Sequence, residues 1–221
     1  GIGIAGTARH RDSQWMEEHL PRVFRFLSSL SAPIAHYKVC STFDSSPEIG
    51  SIGRAIELAQ PVLGGEWTPL LVAAPPIGRY QIFGNLFAVA DGVVHRLDRH
   101  PTMSRHPVTP MNEADVRIHL SEQTAMPIGL VDAVSLRNGF ASDELALQQT
   151  DGARIISLDV TDDAMLLEVG ALMWENRGDR LLAIGSQGVE YALVAYWREM
   201  GLVGPSVPTT EIEPADRFAA V

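Results

Sequence analysis

The sequence holds one cysteine, Cys40, in 221 residues, and no run of eighteen apolar residues. The first shortage rules out an internal disulfide and any Cys-x-x-Cys metal site, and makes a reducing cytoplasm the expected compartment. The second leaves no stretch with the length and apolarity of a membrane-crossing helix, so no membrane partner is expected. Positive charge is also scarce. Seventeen Lys and Arg against 27 Asp and Glu give a formal net charge of -10, which repels polyanions over most of the surface, so nucleic acid is not an expected partner. A small anion stays open, because a few cations at short range outweigh a diffuse field screened by salt. Repeats and low-complexity tracts are absent too.

Apolar residues at 46% and charged residues at 20% are ordinary for a globular chain able to bury one large core. Short apolar runs alternate with amphipathic segments. Candidate strands fall at 1–6, 34–40, 69–74, 128–133, 154–160 and 180–184, and candidate helices at 13–30, 51–63, 113–124, 142–149, 162–176 and 188–200. In the first helix Trp15, Leu20, Val23, Phe24 and Leu27 recur near three- and four-residue spacing, one buried stripe. The alternation predicts an α/β fold of three layers, a mostly parallel sheet with helices on both faces. Residues 75–110 interrupt it with five prolines and a pattern that reads as a β-hairpin and a long edge excursion, the kind of segment that usually carries function. Both ends, "GIGIAGTARH" and "SVPTTEIEPADRFAAV", read as interior stretches of a longer protein.

In an open α/β sheet, ligands gather beyond the carboxyl ends of the strands, where helix N-termini present free N–H groups. Four junctions qualify: "GTARHRD", "STFDSSPEIGS", "VDAVS" and "GSQGVE". Gly1, Gly3 and Gly6 match the dinucleotide fingerprint only formally, since the glycine run is itself strand-like and the helix begins after Asp12. Thr7 and Arg9, at a strand exit, suit a carboxylate or phosphate. Ser41, Thr42, Ser45 and Ser46 offer hydroxyls to a polyol, and Lys38, near a strand end, must reach an edge or meet an anion. The bland alternative makes Ser51 a helix cap and Asp44 a turn former. Gly185, Ser186 and Gly188 form a turn that permits either close approach of a ligand or merely a tight bend. Arg79 and the "HPTMSRHP" stretch, with Arg105 and His106, add cations on loops; no spacing there suits a metal.

The strings "HYKVCSTFDSSPEIGSIGRAIE", "GRYQIFGNLFA", "RLDRHPTMSRHPVTPMNEADVRIHLSEQT" and "GSQGVEYAL" resemble the four-carbon acid sugar kinase family, in its 3-oxo-tetronate kinase branch, over nearly the whole chain. The resemblance implies a sugar-acid-binding α/β domain over 1–204 that lacks a first βα unit and its acidic A-D-D-x-T-G-A motif. It implies that 205–221 is a linker towards a nucleotide-binding domain, and that the fragment alone is inactive. The implied reaction is ATP- and Mg2+-dependent phosphorylation of the terminal hydroxyl of a 3-oxo-tetronate. On that reading the catalytic carboxylate is Asp44 or an acid of the missing motif, Thr7, Arg9, Lys38, Ser41, Thr42 and Arg79 hold the substrate, and Arg105 and His106 close over it or reach the incoming phosphate. Gly185, Ser186 and Gly188 face phosphate, no metal is held by this chain, and a homodimer is an open option. Two other classes remain: a non-catalytic sugar-acid binding or interaction module, effector-type proteins included, and a nicotinamide-linked oxidoreductase using "GIGIAG", which would bind NADH.

Overall fold

The structure, a computed structural model, describes residues 1–204; the linker expected at 205–221 lies outside them. In chain order the elements are α1 (Ser13–Ser29), β1 (Ile34–Lys38), α2 (Ile52–Leu63), β2 (Thr68–Leu71), β3 (Arg79–Ile82), β4 (Asn85–Ala90), β5 (Val93–Arg96) and α3 (Val116–Ser121). These are followed by β6 (Ile128–Val131), α4 (Ala133–Arg137), α5 (Ala141–Thr150), β7 (Ile155–Leu158), α6 (Asp163–Glu175), β8 (Leu181–Gly185) and α7 (Gly188–Glu199). Side chains begin most of the helices: Asp12, Ser51, Asp115, Asp132 and Asp162 each accept a backbone N–H of the helix they precede.

Among the described residues five parallel strands run in the order β1-β8-β2-β7-β6, so β1 is an edge strand there. Alternate strand residues feed two cores. Leu70, Val72, Ile155, Leu182 and Ile184 meet Met16, Phe24, Ile56 and Leu120 from α1, α2 and α3. Leu71, Ala73, Ile156, Leu181 and Ala183 meet Leu136, Leu145, Val169 and Val189 from α4, α5, α6 and α7. This period of two across a sheet covered on both faces is why the central strands are mostly apolar, Thr68 and Ser157 apart, and buried at every position. No helix among the described residues is long and apolar enough to cross a membrane.

Two expectations need correction. Residues 1–6 form no strand; Ile2 and Ile4 are 65% and 47% exposed, and the segment pairs with no neighbour. Strands must lie ~4.8 Å apart to share hydrogen bonds. Here an open groove of about 1660 Å³ is lined by residues 1–9 and by β1, so residues 1–6 have no ladder to join. The expected hairpin is a three-stranded antiparallel meander, β3-β4-β5. Bridges from Ala74 to Arg79 and from Gln81 to Val160 set it across the carboxyl ends of β2 and β7.

Asp159, fully buried just after β7, fixes that placement. Its carboxylate accepts from Gly84 N (3.0 Å), Phe83 N (2.5 Å), Ala133 N (3.1 Å) and Gln81 Nε2 (3.2 Å). Burial pushes its carboxyl above the ordinary range, while the Gly84, Gln81, Phe83 and Ala133 donors pull the other way. Phe83 and Gly84 both have positive φ, 50° and 79°, so this carboxylate holds a tight β3–β4 turn at a residue that favours it poorly. Replacing Asp159 with Ala strands these buried N–H groups and is expected to cost about 3 kcal/mol. Urea unfolding measures it; a loss below about 1 kcal/mol would mean that water replaces the carboxylate.

Candidate functional site

The segment after β1 turns sharply. Phe43 N donates to Cys40 O (3.0 Å), and Phe43 is fully buried with φ 54°, a left-handed conformation that costs a non-glycine residue roughly 1–2 kcal/mol. The turn puts its two neighbours side chain to side chain: Thr42 Oγ1 donates to Asp44 Oδ1 (2.5 Å) and lies 2.9 Å from Cys40 Sγ. Asp44 Oδ2 accepts from Arg9 Nε (2.9 Å) and Nη2 (2.7 Å). Asp44 is buried, whereas the Arg9 side chain is 48% exposed, so the pair joins an interior carboxylate to a cation at the groove surface. Burial would lower the Arg9 pKa, but the hydrogen bond and charge of Asp44, with Cys40 beside them, raise it above its ordinary value.

Gly50 makes the pairing possible. Its N–H donates to Arg11 O (2.8 Å), its φ is 66°, and a Cβ there would lie 2.4 Å from Arg9 O. Only glycine lets the loop before α2 close onto the short 3-10 turn, Ala8–His10, that carries Arg9.

Thr7, Arg9, Lys38, Cys40 and Asp44 all line the same groove, together with faces of α1 and α7. Lys38 is exposed at the end of β1. Next to it His36 meets Gly185 O and Glu190 Oε1, each at 3.1 Å. Burial would raise the Glu190 pKa; the hydrogen bond and charge of His36, and the charge of Lys38, hold it below the ordinary carboxylate range. Tyr37, on the same strand, is pushed up to about 12 by burial.

The remaining sequence candidates sit elsewhere. Ser41 is buried and does not line the groove. Arg79, half-buried on β3, donates from Nη1 to Ile77 O and Gly78 O (both 3.2 Å), while its buried Nε has no partner. Arg105 is exposed, and His106 Nδ1 accepts from Thr109 N (3.1 Å). Gly185, Ser186 and Gly188 are buried against β2: Ser186 Oγ donates to Val72 O (2.8 Å), and a Cβ on Gly185 or Gly188 would lie 2.0 Å from Leu71 O or 1.9 Å from Ala73 O. The close approach that glycine permits here is to the next strand. His119 and Gln123, which hold the Asp44 turn from behind through Ser45, went unmarked in the sequence. Both lie more than seventy residues from Ser45, and no local pattern joins them.

Comparison with known proteins bears on these residues. The sugar-binding N-terminal domain family matches residues 1–193, and the chain belongs to that family. It is 50% identical over 220 residues to a 3-oxo-isoapionate kinase of Paraburkholderia graminis, covering 100% of this chain and 47% of that protein. It is 31% identical over 169 residues to a 3-oxo-tetronate kinase of Cupriavidus necator, covering 76% of this chain and 37% of that one. The chain thus spans less than half the length of these relatives. The crystal structure of a Haemophilus influenzae DUF1537 protein superposes with a TM-score of 0.75 at 24% identity, over 88% of this chain and 45% of that one, which supports the α/β fold.

Replacing Gly50 with Ala is expected to destabilise the chain by about 2 kcal/mol or more, through both strained φ and the clash with Arg9. Gly92, with φ 77° and open space around a Cβ, is the control and should cost about 1 kcal/mol. Equal urea midpoints for the two variants would show that the Arg9 contact constrains nothing.

Proposed function

We propose that this chain is the substrate-holding domain of a sugar-acid kinase, with the acid bound at the end of the groove where Lys38, Arg9 and Asp44 meet. The observation that supports it most is that two cations, Arg9 and Lys38, the Asp44 carboxylate and the Thr7 hydroxyl line one concavity of a chain whose net charge is -10. Lys38 and the outer face of Arg9 would take the substrate carboxylate, Arg in two-pronged fashion. Thr7 would read a hydroxyl, while Thr42, buried behind the groove, would act through the hydrogen bond it gives Asp44. Asp44 Oδ1 accepts one hydrogen bond from Thr42 and keeps a lone pair for the hydroxyl to be phosphorylated. Arg79, Arg105, His106 and Ser41 do not line the groove, and Arg79, Arg105 and His106 would approach from the meander side.

The chemistry is phosphoryl transfer, which depends on positioning and on neutralising charge. We assign ATP and Mg2+ to the remainder of a longer protein, because the 185–188 turn spends its hydroxyl and its close approaches on β2. The substrate is a 3-oxo sugar acid of the kind named for the relatives, a 3-oxo-tetronate or a 3-oxo-isoapionate. The 50% identity to the isoapionate kinase favours the second.

The groove is larger than a small sugar acid needs, since even drug-sized ligands occupy about 300–1,000 Å³. Its floor is an unpaired strand edge. Leu181 N donates to Pro33 O and Val39 N donates to Gly185 O, so residues 33, 35, 37 and 39 face β8 while the backbone of Ile34, His36 and Lys38 points into the groove. We infer that a strand of the longer polypeptide pairs there, between residues 1–6 and β1.

Two measurements test these readings. In calorimetry against both 3-oxo acids, Lys38→Met and Asp44→Asn are expected to weaken binding at least tenfold, and unchanged affinity in both would overturn the site. In hydrogen exchange, the His36 and Lys38 amides should exchange at least a hundredfold more slowly in the longer protein than in residues 1–221 alone; equal rates would leave β1 a true edge.

A further inference from the structure

The turn that carries Asp44 is held from behind by a buried hydrogen-bond relay whose every proton can be assigned. Gln123 Oε1 accepts from Ile52 N (2.8 Å) and Gly53 N (3.3 Å) in the first turn of α2, which fixes the orientation of its amide. Its Nε2 must then be the group that donates to Ser45 Oγ (2.9 Å). Ser45 Oγ also lies 3.0 Å from Phe43 O, a carbonyl that can only accept, so the one hydroxyl proton is spent there. His119 Nε2, 3.0 Å from the same oxygen, is left with a single role, that of donor. The three side chains are 2%, 6% and 9% exposed for Ser45, His119 and Gln123, so water does not compete for these bonds. The His119 ring also meets the edge of Phe43, centroids 5.7 Å apart at 62°. One imidazole therefore touches the left-handed residue directly and, through Ser45, holds its carbonyl.

We propose that His119 is a positioning residue for the sugar-acid site: as the Nε2–H tautomer it holds Ser45 and Phe43 so that the turn aims Asp44 at Arg9 and Thr42. This rests on the substrate reading given above for its functional meaning, though not for its geometry. Burial lowers the His119 pKa and outweighs the carboxylates of Glu122, Glu113 and Asp44 and the backbone carbonyl of Ser45, all of which favour the proton. The folded chain thus prefers the uncharged ring. The stability that this confers is complete above the ordinary value of 6.5 and is lost as pH falls below it towards the lowered folded value.

The test uses residues 1–221 and the variants His119→Gln, which keeps a donor where Nε2 stood, and His119→Phe, which keeps the ring and removes the donor. Long-range nitrogen–proton spectra at neutral pH, assigned by the signal lost in His119→Gln, should show His119 with its proton on Nε2; a proton on Nδ1, or on both nitrogens, overturns the relay. Cys40, the single cysteine, lies beside Thr42 and reports on the turn. Its alkylation by iodoacetamide should be at least tenfold faster in His119→Phe and within threefold of the unmodified chain in His119→Gln. Equal rates in all three overturn the proposal. If His119→Phe does not fold, Ser45→Ala takes its place with the same expected acceleration and the same overturning result. Binding of 3-oxo-isoapionate and 3-oxo-tetronate separates the two readings. Tenfold weakening in His119→Phe with recovery in His119→Gln is expected, and unchanged affinity in His119→Phe overturns the positioning role while the substrate reading stands. If the unmodified chain binds neither acid while Cys40 follows the expected order, the positioning of the turn holds and the substrate reading falls.

Discussion

A carboxylate taken out of water has to be met by donors, and this fold is arranged around two that are. Asp159 gathers N–H groups from the β3–β4 turn, from Gln81 and from the start of α4; Asp44 gathers Arg9 and Thr42. An unsatisfied interior carboxylate costs several kcal/mol, comparable to much of a domain's net stability of about 5–15 kcal/mol. Each cluster therefore dictates where whole segments lie. Asp159 decides that the meander crosses the carboxyl ends of β2 and β7. Asp44 decides that the turn bearing Arg9 closes against the loop before α2.

Both anchors stand beyond the carboxyl ends of parallel strands, and the reason is topological. There the chain leaves the sheet's ladder and its backbone groups lose their partners, so polar side chains have to be brought in to replace them. The same requirement shapes the β8–α7 turn, where Ser186 supplies both a donor to β2 and an acceptor for Gly188 N. A rim built to satisfy its own backbone is also a rim rich in preoriented polar groups. Those not consumed by the fold include Lys38 and the exposed face of Arg9, the two cations of the proposed site.

Much of this was legible in the sequence where the signal is local. The parallel strands followed from their apolar runs, because a strand buried on both faces has no polar alternation to confuse it. Ser51, which the bland alternative made a helix cap, acts as one. The Asp91-Gly92 hairpin carries the dipeptide that a type I′ turn favours, whereas the Phe83-Gly84 turn does not, and it exists because Asp159, far along the chain, accepts its N–H groups. Residues 1–6 looked like a strand by composition, but a strand is a relation between neighbours, and composition names no neighbour. For the site, the hydroxyls, carboxylate and lysine after β1 were visible as an unusual cluster. The support behind them was not, since His119, on a short helix whose own pattern records only its core face, and Gln123, just beyond that helix, reach Ser45 across more than seventy residues.

The two clusters also divide the labour of stability and function along physical lines. Asp159 is closed on every side and has no exposed surface, so nothing that binds can reach it. Asp44 is equally an interior group, yet its main partner is half in water, and an exchange of Arg9 between Asp44 and an incoming anion costs far less than breaking a wholly buried pair. That asymmetry needs a rigid backing, because a carboxylate free to follow its cation would close the gap that a ligand must enter. The Phe43 turn, strained at its centre and clamped by Ser45, His119 and Gln123, supplies that backing for the carboxylate, whose guanidinium partner stands half in water.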